Sequence, residues 1–155
     1  MVKFKILKFA SFKKNFFKKI VGAFTKNGKK LQIKKQLNLA FQFLQQKTGY
    51  SFAYLLNTLF IELNTFVEVR QIFIRKKMFF VPFFISVERR LFLAIKWFIQ
   101  SLKQSNEKGP FFQKFIQEFL LLLKFESVKE ANSVGLKKNN DLLAIKNRAN
   151  IHYRW

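Results

Sequence analysis

Apolar residues recur at helical spacing along most of this chain, and the pattern breaks once, at FVEVRQIFIRKKMFFVPFFIS, residues 66–86. That stretch is rich in β-branched and aromatic residues and partly alternates, which suits a pleated surface and not a helical face. FVEVRQIFI and MFFVPFFIS read as two strands of a hairpin, joined through Arg75, Lys76 and Lys77. Pro82 brings no backbone donor, so it belongs at an edge or at a strand's end.

Helices account for the remainder. Phe16, Phe17, Ile20, Val21 and Phe24 form one stripe, and Asn27-Gly28 is a turn that ends it. A second helix fits Leu31 to Lys47, burying Ile33, Leu37, Ala40, Phe41 and Leu44, with Thr48-Gly49 as its stop. A third fits Ser51 to Asn64 through Phe52, Leu55, Leu56, Leu59, Phe60 and Leu63. After the hairpin, Ser86 is the expected cap of a fourth helix, with Glu88 in its first turn and Leu91, Ala94, Ile95, Phe98 and Leu102 buried. SNEKGP is a break, and Pro110 suits the first position of a fifth helix lined by Phe112, Phe115, Ile116, Phe119, Leu120 and Leu123. A polar link from about Ser127 to Asn140 precedes a short last helix. The expected fold is mainly α, a bundle of about six helices with a protruding basic β-hairpin, in a single domain at 155 residues.

Charge then narrows the partner. Thirty Lys and Arg oppose eight Asp and Glu, a net +22. Self-repulsion on that scale penalises a compact monomer unless a polyanion offsets it, which points to a nucleic acid or an anionic membrane surface. Disorder is excluded, because half the residues are hydrophobic and 23 are Phe. With no Cys and one His, disulfides and thiolate metal sites are impossible and a His-based zinc site has almost nothing to build from. The acids Glu62, Glu68, Glu88, Glu107, Glu118, Glu126, Glu130 and Asp141 stand singly, so no carboxylate pair suggests a hydrolase or a two-metal site. No glycine loop cradles a phosphate. The expectation is a protein that is not an enzyme and carries no cofactor.

The longest apolar run, Met78 to Ile85, falls well short of the about 20 residues a membrane span needs. The start, MVKFKILKFASFKKNFFKKI, is basic and acid-free as transit peptides are, but it has no Arg, few Ser, and runs directly into a helical pattern. Phe, Lys, Ile and Asn are abundant while Gly, Ala and Pro are sparse. Those favoured residues share AT-rich codons, as in an organellar genome, so no single Phe can be read as functional from its presence alone.

Cations cluster at Lys29-Lys30, Arg75-Lys76-Lys77, Arg89-Arg90, Lys137-Lys138, and Arg148 with Arg154, besides the N-terminal lysines. One such cluster is equally well a solvated face. Together they recur at turns and helix starts, with aromatics among them on which unpaired bases can stack. A membrane-surface protein would gather its cations on one amphipathic helix, and only the first ~20 residues fit that description. The lone His152 reads as a stacking or hydrogen-bonding group rather than a general base.

The end, NRANIHYRW, resembles the NRA-aromatic-A-HYRW ending of the S-seven family of small-subunit ribosomal proteins. FVEVR, VPFFIS and ERRLFLAIKWFI are similar, in order, to that family's VEVR, VPVEV and RRxxLAxRWxV. KIVGAFTKNGKK is similar to its first helix and Gly-Lys-Lys turn, QQKTG also has a counterpart, and LKKNND resembles its VKKxED. The family's paired glycines near the hairpin turn are replaced by Arg75-Lys76, so a different turn conformation is expected, and the basic pair before them by Ile72-Phe73. The helix before NRA is shorter, with Ile145 near the place of the usual acid.

The resemblance implies binding to the 3′ major domain of small-subunit ribosomal RNA and nucleation of the subunit head. It also implies a hairpin near the messenger exit and E-site tRNA, head and platform proteins as neighbours, and neither membrane nor homo-oligomer. Residues 1–15 would be a basic arm, 16–149 the RNA-binding domain with its hairpin at about 66–85, and 150–155 an RNA-contacting tail. Lys29, Lys30, Arg70, Arg75, Lys76, Lys77, Arg89, Arg90, Lys96, Lys137, Lys138, Arg148, His152, Tyr153, Arg154 and Trp155 would touch RNA. Tyr153 and Trp155 would lie on RNA or a helix face, with Arg148 and Arg154 on phosphates. The codon bias and the eroded hairpin motif point to a mitochondrion, with a plastid as second choice. A cationic membrane-surface protein and a basic nucleic-acid enzyme are the competing readings.

Overall fold

The computed structural model of the protein describes residues 16–25, 27–105, 110–124 and 130–154. The basic arm and Trp155 lie outside the described residues. In chain order the elements are α1 (residues 16–24), α2 (Lys30–Thr48), α3 (Phe52–Leu63), β1 (Val67–Ile74), β2 (Lys77–Phe84), α4 (Val87–Gln104), α5 (Phe111–Leu122), α6 (Asn132–Lys146) and a 3-10 segment (Arg148–Tyr153).

The five stripes read from the sequence meet in one core. Phe16, Ile20, Val21 and Phe24 of α1, Leu37, Phe41 and Leu44 of α2, and Leu55, Leu59 and Leu63 of α3 are buried together with Phe98, Phe115 and Phe119. Phe41 is its hub. Its ring stands edge-on to Phe52 at 5.0 Å, Phe115 at 5.5 Å and Phe119 at 5.7 Å. Edge-to-face pairs add about 0.5–1.5 kcal/mol each beyond the area they bury. Codon bias can supply Phe in excess, but packing has put these rings to use.

Local signals set most of the helix ends. Gly49 closes α2 at φ 72°, its N–H donating to Gln45 O, and Asn27 and Gly28 turn at φ 51° and 73°. Ser51 caps α3 by accepting from Tyr54 N–H at 3.3 Å. Ser86 stands at the start of α4 but makes no side-chain cap bond, contrary to expectation; its carbonyl takes Arg90 N–H at 3.0 Å instead. Pro110 precedes α5 by one residue rather than opening it.

A further expectation is corrected. The polar link to Asn140 is largely helix, since α6 begins at Asn132. Its start is held from outside: Glu118 of α5, 4 % exposed, accepts from Ser133 N–H at 2.9 Å and Ser133 Oγ at 2.7 Å. The hairpin turn takes a form that its residue types do not announce. Arg75 and Lys76 sit at φ 45° and 68° between the paired Ile74 and Lys77. Left-handed backbone at both central positions is the type I′ turn that matches strand twist. Two cations therefore accept a left-handed backbone that glycine would adopt without strain.

The hairpin's base is anchored by a second small cluster, in which Ile85, Leu93 and Trp97 are buried against Leu136. Thus α4 has two buried faces, of which the sequence stripe captured one.

Glu118→Ala should leave the start of α6 without its acceptor and cost about 2–4 kcal/mol. Glu118→Gln, which keeps an acceptor, should cost clearly less. Thermal unfolding in moderate salt compares them, and equal losses would remove Glu118 from this role.

Candidate nucleic-acid interface

The cations singled out in the sequence divide by what they already touch. Lys29 and Lys30 lie exposed at the α1–α2 turn, Arg75, Lys76 and Lys77 at the hairpin tip, Lys96 on α4, and Arg148 on the 3-10 segment. None of these seven has an ion pair among the described residues. The others serve the fold. Arg89 donates two hydrogen bonds to the Glu68 carboxylate, and Arg70 reaches it at 3.3 Å. Arg89 also lies over Phe92 at 5.0 Å and Arg70 over Phe83 at 5.1 Å. Arg90 sits 4.2 Å over Phe66 and donates to Ile85 O at 3.2 Å. Lys138 pairs with Glu130, and Lys137 donates to Glu62 O at 2.8 Å. That last bond satisfies one of the carbonyls that the end of α3 leaves without a helical partner.

Glu68 therefore ties β1 to α4. Hydrogen bonds from Arg89 hold its carboxyl below the ordinary 4.5, against the opposing pull of burial. Sequence reading had treated it as one more isolated acid.

The hairpin's outer edges explain the tail. Ile85 N–H donates to Phe66 O at 3.2 Å, and hydrogen-bonded and open pairs alternate along an antiparallel ladder. In the register Val67↔Phe84 to Ile74↔Lys77, Val67, Phe80 and Pro82 therefore turn their backbone groups outward. Pro82 is where its missing donor costs no ladder bond. The outward carbonyls are taken from α6 and beyond. Asn140 Nδ2 donates to Val67 O at 2.9 Å, Asn150 Nδ2 to Phe80 O at 3.1 Å, and Arg154 Nε to Pro82 O. Beside Asn140, Asp141 accepts from the buried Thr65 hydroxyl at 2.9 Å.

Tyr153 packs on Phe79 at 5.1 Å, with His152 exposed against it at 4.1 Å, and Arg154 lies over Phe84 at 4.8 Å. Tyr153 and Arg154, expected on RNA or a helix face and on phosphate, also pack on the protein's own hairpin while staying half-exposed. The signal was absent from the sequence because Arg154 and Pro82 are 72 positions apart.

Among the described residues no group of three or more His, Cys, Asp or Glu could hold a metal, and no helix is long and apolar enough to cross a membrane. What the fold displays is a cationic helical scaffold with a braced hairpin. The sequence profile described as Ribosomal protein S7p/S5e matches residues 1–148, and the chain belongs to that family of non-enzymatic small-subunit ribosomal proteins. It is 28 % identical over 141 residues to small ribosomal subunit protein uS7 of Caldicellulosiruptor saccharolyticus, covering 88 % of this chain and 85 % of that one. With uS7m of Reclinomonas americana it shares 27 % over 150 residues, 97 % of this chain and 91 % of the relative. With uS7 of Aliivibrio salmonicida it shares 26 % over 153 residues, 97 % and 94 %. The mitochondrial and bacterial relatives are equally close.

Two expectations follow from this geometry. A carboxyl with a depressed pKa stabilises the fold above its ordinary 4.5, and that contribution is lost as pH falls through its lower folded value. Glu68→Gln should therefore melt below the wild type at neutral pH, and the gap should close on acidification beneath 4.5. A gap constant from pH 7 to 3 would remove Glu68 as its source. Arg154→Ala should cost about 1–2 kcal/mol, lowering the melting temperature by roughly 2–8 °C, and should speed amide exchange in β2. An unchanged melt would detach the tail from the hairpin.

Proposed function

We propose that this chain binds the 3′ major domain of small-subunit ribosomal RNA, helps nucleate the subunit head, and carries its hairpin to the neighbourhood of the messenger exit and E-site tRNA. It works as a monomer beside head and platform proteins. The observation that carries this reading is the set of seven exposed cations with no ion pair among the described residues, Lys29, Lys30, Arg75, Lys76, Lys77, Lys96 and Arg148, presented at a turn, a hairpin tip and helix faces on a chain of net +22. Phosphate contacts from such groups fix position and dominate affinity. Family membership supports ribosomal RNA as that partner. Arg70, Arg89, Arg90, Lys137, Lys138 and Arg154 hold the fold and reach RNA through whatever donors their internal bonds leave over, His152 and Tyr153 border the hairpin's edge, and Trp155 is proposed as a further RNA contact.

The ribosome is assigned to a mitochondrion, ahead of a plastid. AT-favoured codons and the uS7m relative support that choice.

Sedimentation of the native protein through a sucrose gradient tests the reading against a membrane-surface role. It should travel with the small subunit; recovery with membranes or free at the top would overturn the proposal. A second test uses the hairpin tip. Arg75→Asn with Lys76→Gly supplies the pair preferred in type I′ turns, so the free protein should gain about 1 kcal/mol. RNA affinity should fall, and the slope of log affinity against log salt should become shallower by roughly one unit per lost cation. Unaltered affinity and slope would take the tip off the RNA.

A further inference from the structure

Resting on that reading, we infer that the groove between α1 and α4 receives the base of an unpaired nucleotide, with its flanking phosphates on the lysine rim. The groove encloses about 730 Å³, inside the range of about 300–1,000 Å³ usual for ligand sites. Its floor is Phe92, Ile95 and Ile99, and its rim is Lys19 from α1 with Lys96 and Lys103 from α4. Phe92, Lys96, Ile99 and Lys103 recur at helical spacing along one face of α4, so cations and apolar groups alternate along the same wall. Phe92 is 51 % exposed, although it sits on a helix with a well-filled core face. Arg89, held by Glu68, covers the ring from one side at 5.0 Å and fixes it in place.

A duplex fits this chemistry poorly. Its bases are stacked and paired, so it would bring phosphates to the rim and leave the apolar floor in water. An unpaired nucleotide supplies both halves, a flat π-face for Phe92 and Ile95 and an anionic backbone for the lysines. The groove continues past Ala23, Ile99 and Lys103 into a neighbouring cavity of about 510 Å³ floored by Phe24 and Phe111. The strand therefore has a way to run on along α1.

The test uses the full chain and a transcript of the 3′ major domain RNA, with filter binding across a salt series and chemical probing of base faces. Phe92→Ala should weaken binding roughly five- to hundredfold with the salt slope unchanged, because stacking releases no counterions. Phe92→Tyr should retain affinity. One unpaired base protected by the wild type should become reactive with Phe92→Ala. The half-exposed ring predicts an unaltered melt for that variant. Should the melt fall, Lys96→Gln with Lys103→Gln decides instead, by a slope shallower by about two units and loss of the same protection. Wild-type binding that is steep in salt yet indifferent to both variants overturns the groove and leaves the proposed function standing. RNA affinity kept while assembly with subunit proteins is lost would hand the groove to an acidic protein segment and overturn the inference. A wild type that does not select this RNA would overturn both.

Discussion

A two-stranded ribbon is barely stable in water, and this one has to hold charge away from the core. What makes it possible is that its outward carbonyls are answered from the far end of the chain. Val67 is met by Asn140, Phe80 by Asn150 and Pro82 by Arg154. Those donors are themselves positioned by α6, which is held to α5 through Glu118 and Ser133 and to α3 through Lys137. Glu68 closes the ring of support by joining β1 to α4. The same contacts protect the strand edges from pairing with another chain, a hazard that charge and side-chain cover commonly suppress.

This bracing divides the positive charge into two populations. Arginines at the hairpin base stack on Phe66, Phe83, Phe84 and Phe92 and hydrogen-bond inward, roles for which the planar guanidinium is suited. Lysines dominate the exposed groups, where a flexible point charge can meet a phosphate without a fixed geometry. Lys137 and Lys138 are exceptions among the lysines, one spent on a helix end and the other paired with Glu130. The exposed Arg75 and Arg148 are the exceptions among the arginines.

Much of this was legible in the sequence. The stripes of the first five helices repeat every three or four residues and name their own core, and the single lapse from that period located the hairpin. Gly28 and Gly49 marked real left-handed turns. The beginning of α6 was hidden because its buried residues, Ala131 and Ser133, are small or polar, and because its anchor is an acid on another helix. Which cations are spent was hidden for a similar reason. Arg89 and Glu68 are 21 positions apart, and only the folded hairpin brings them together. The turn type was hidden in a different way: Arg75 and Lys76 lack the composition a type I′ turn prefers, and strand twist selects it all the same.

The position of the tail has a consequence for the order in which the molecule is made. The partners of Phe80 and Pro82 are synthesised 70 and 72 residues after them. The helical core through α3 can gather while translation continues, but β2 stays with an open edge until Asn150 and Arg154 emerge. For that interval the chain carries an unshielded strand and its full load of cations at once. Newly made protein is therefore vulnerable to mispairing until residues 150–154 have emerged, and a partner that covered residues 80–84 until then would act as its chaperone.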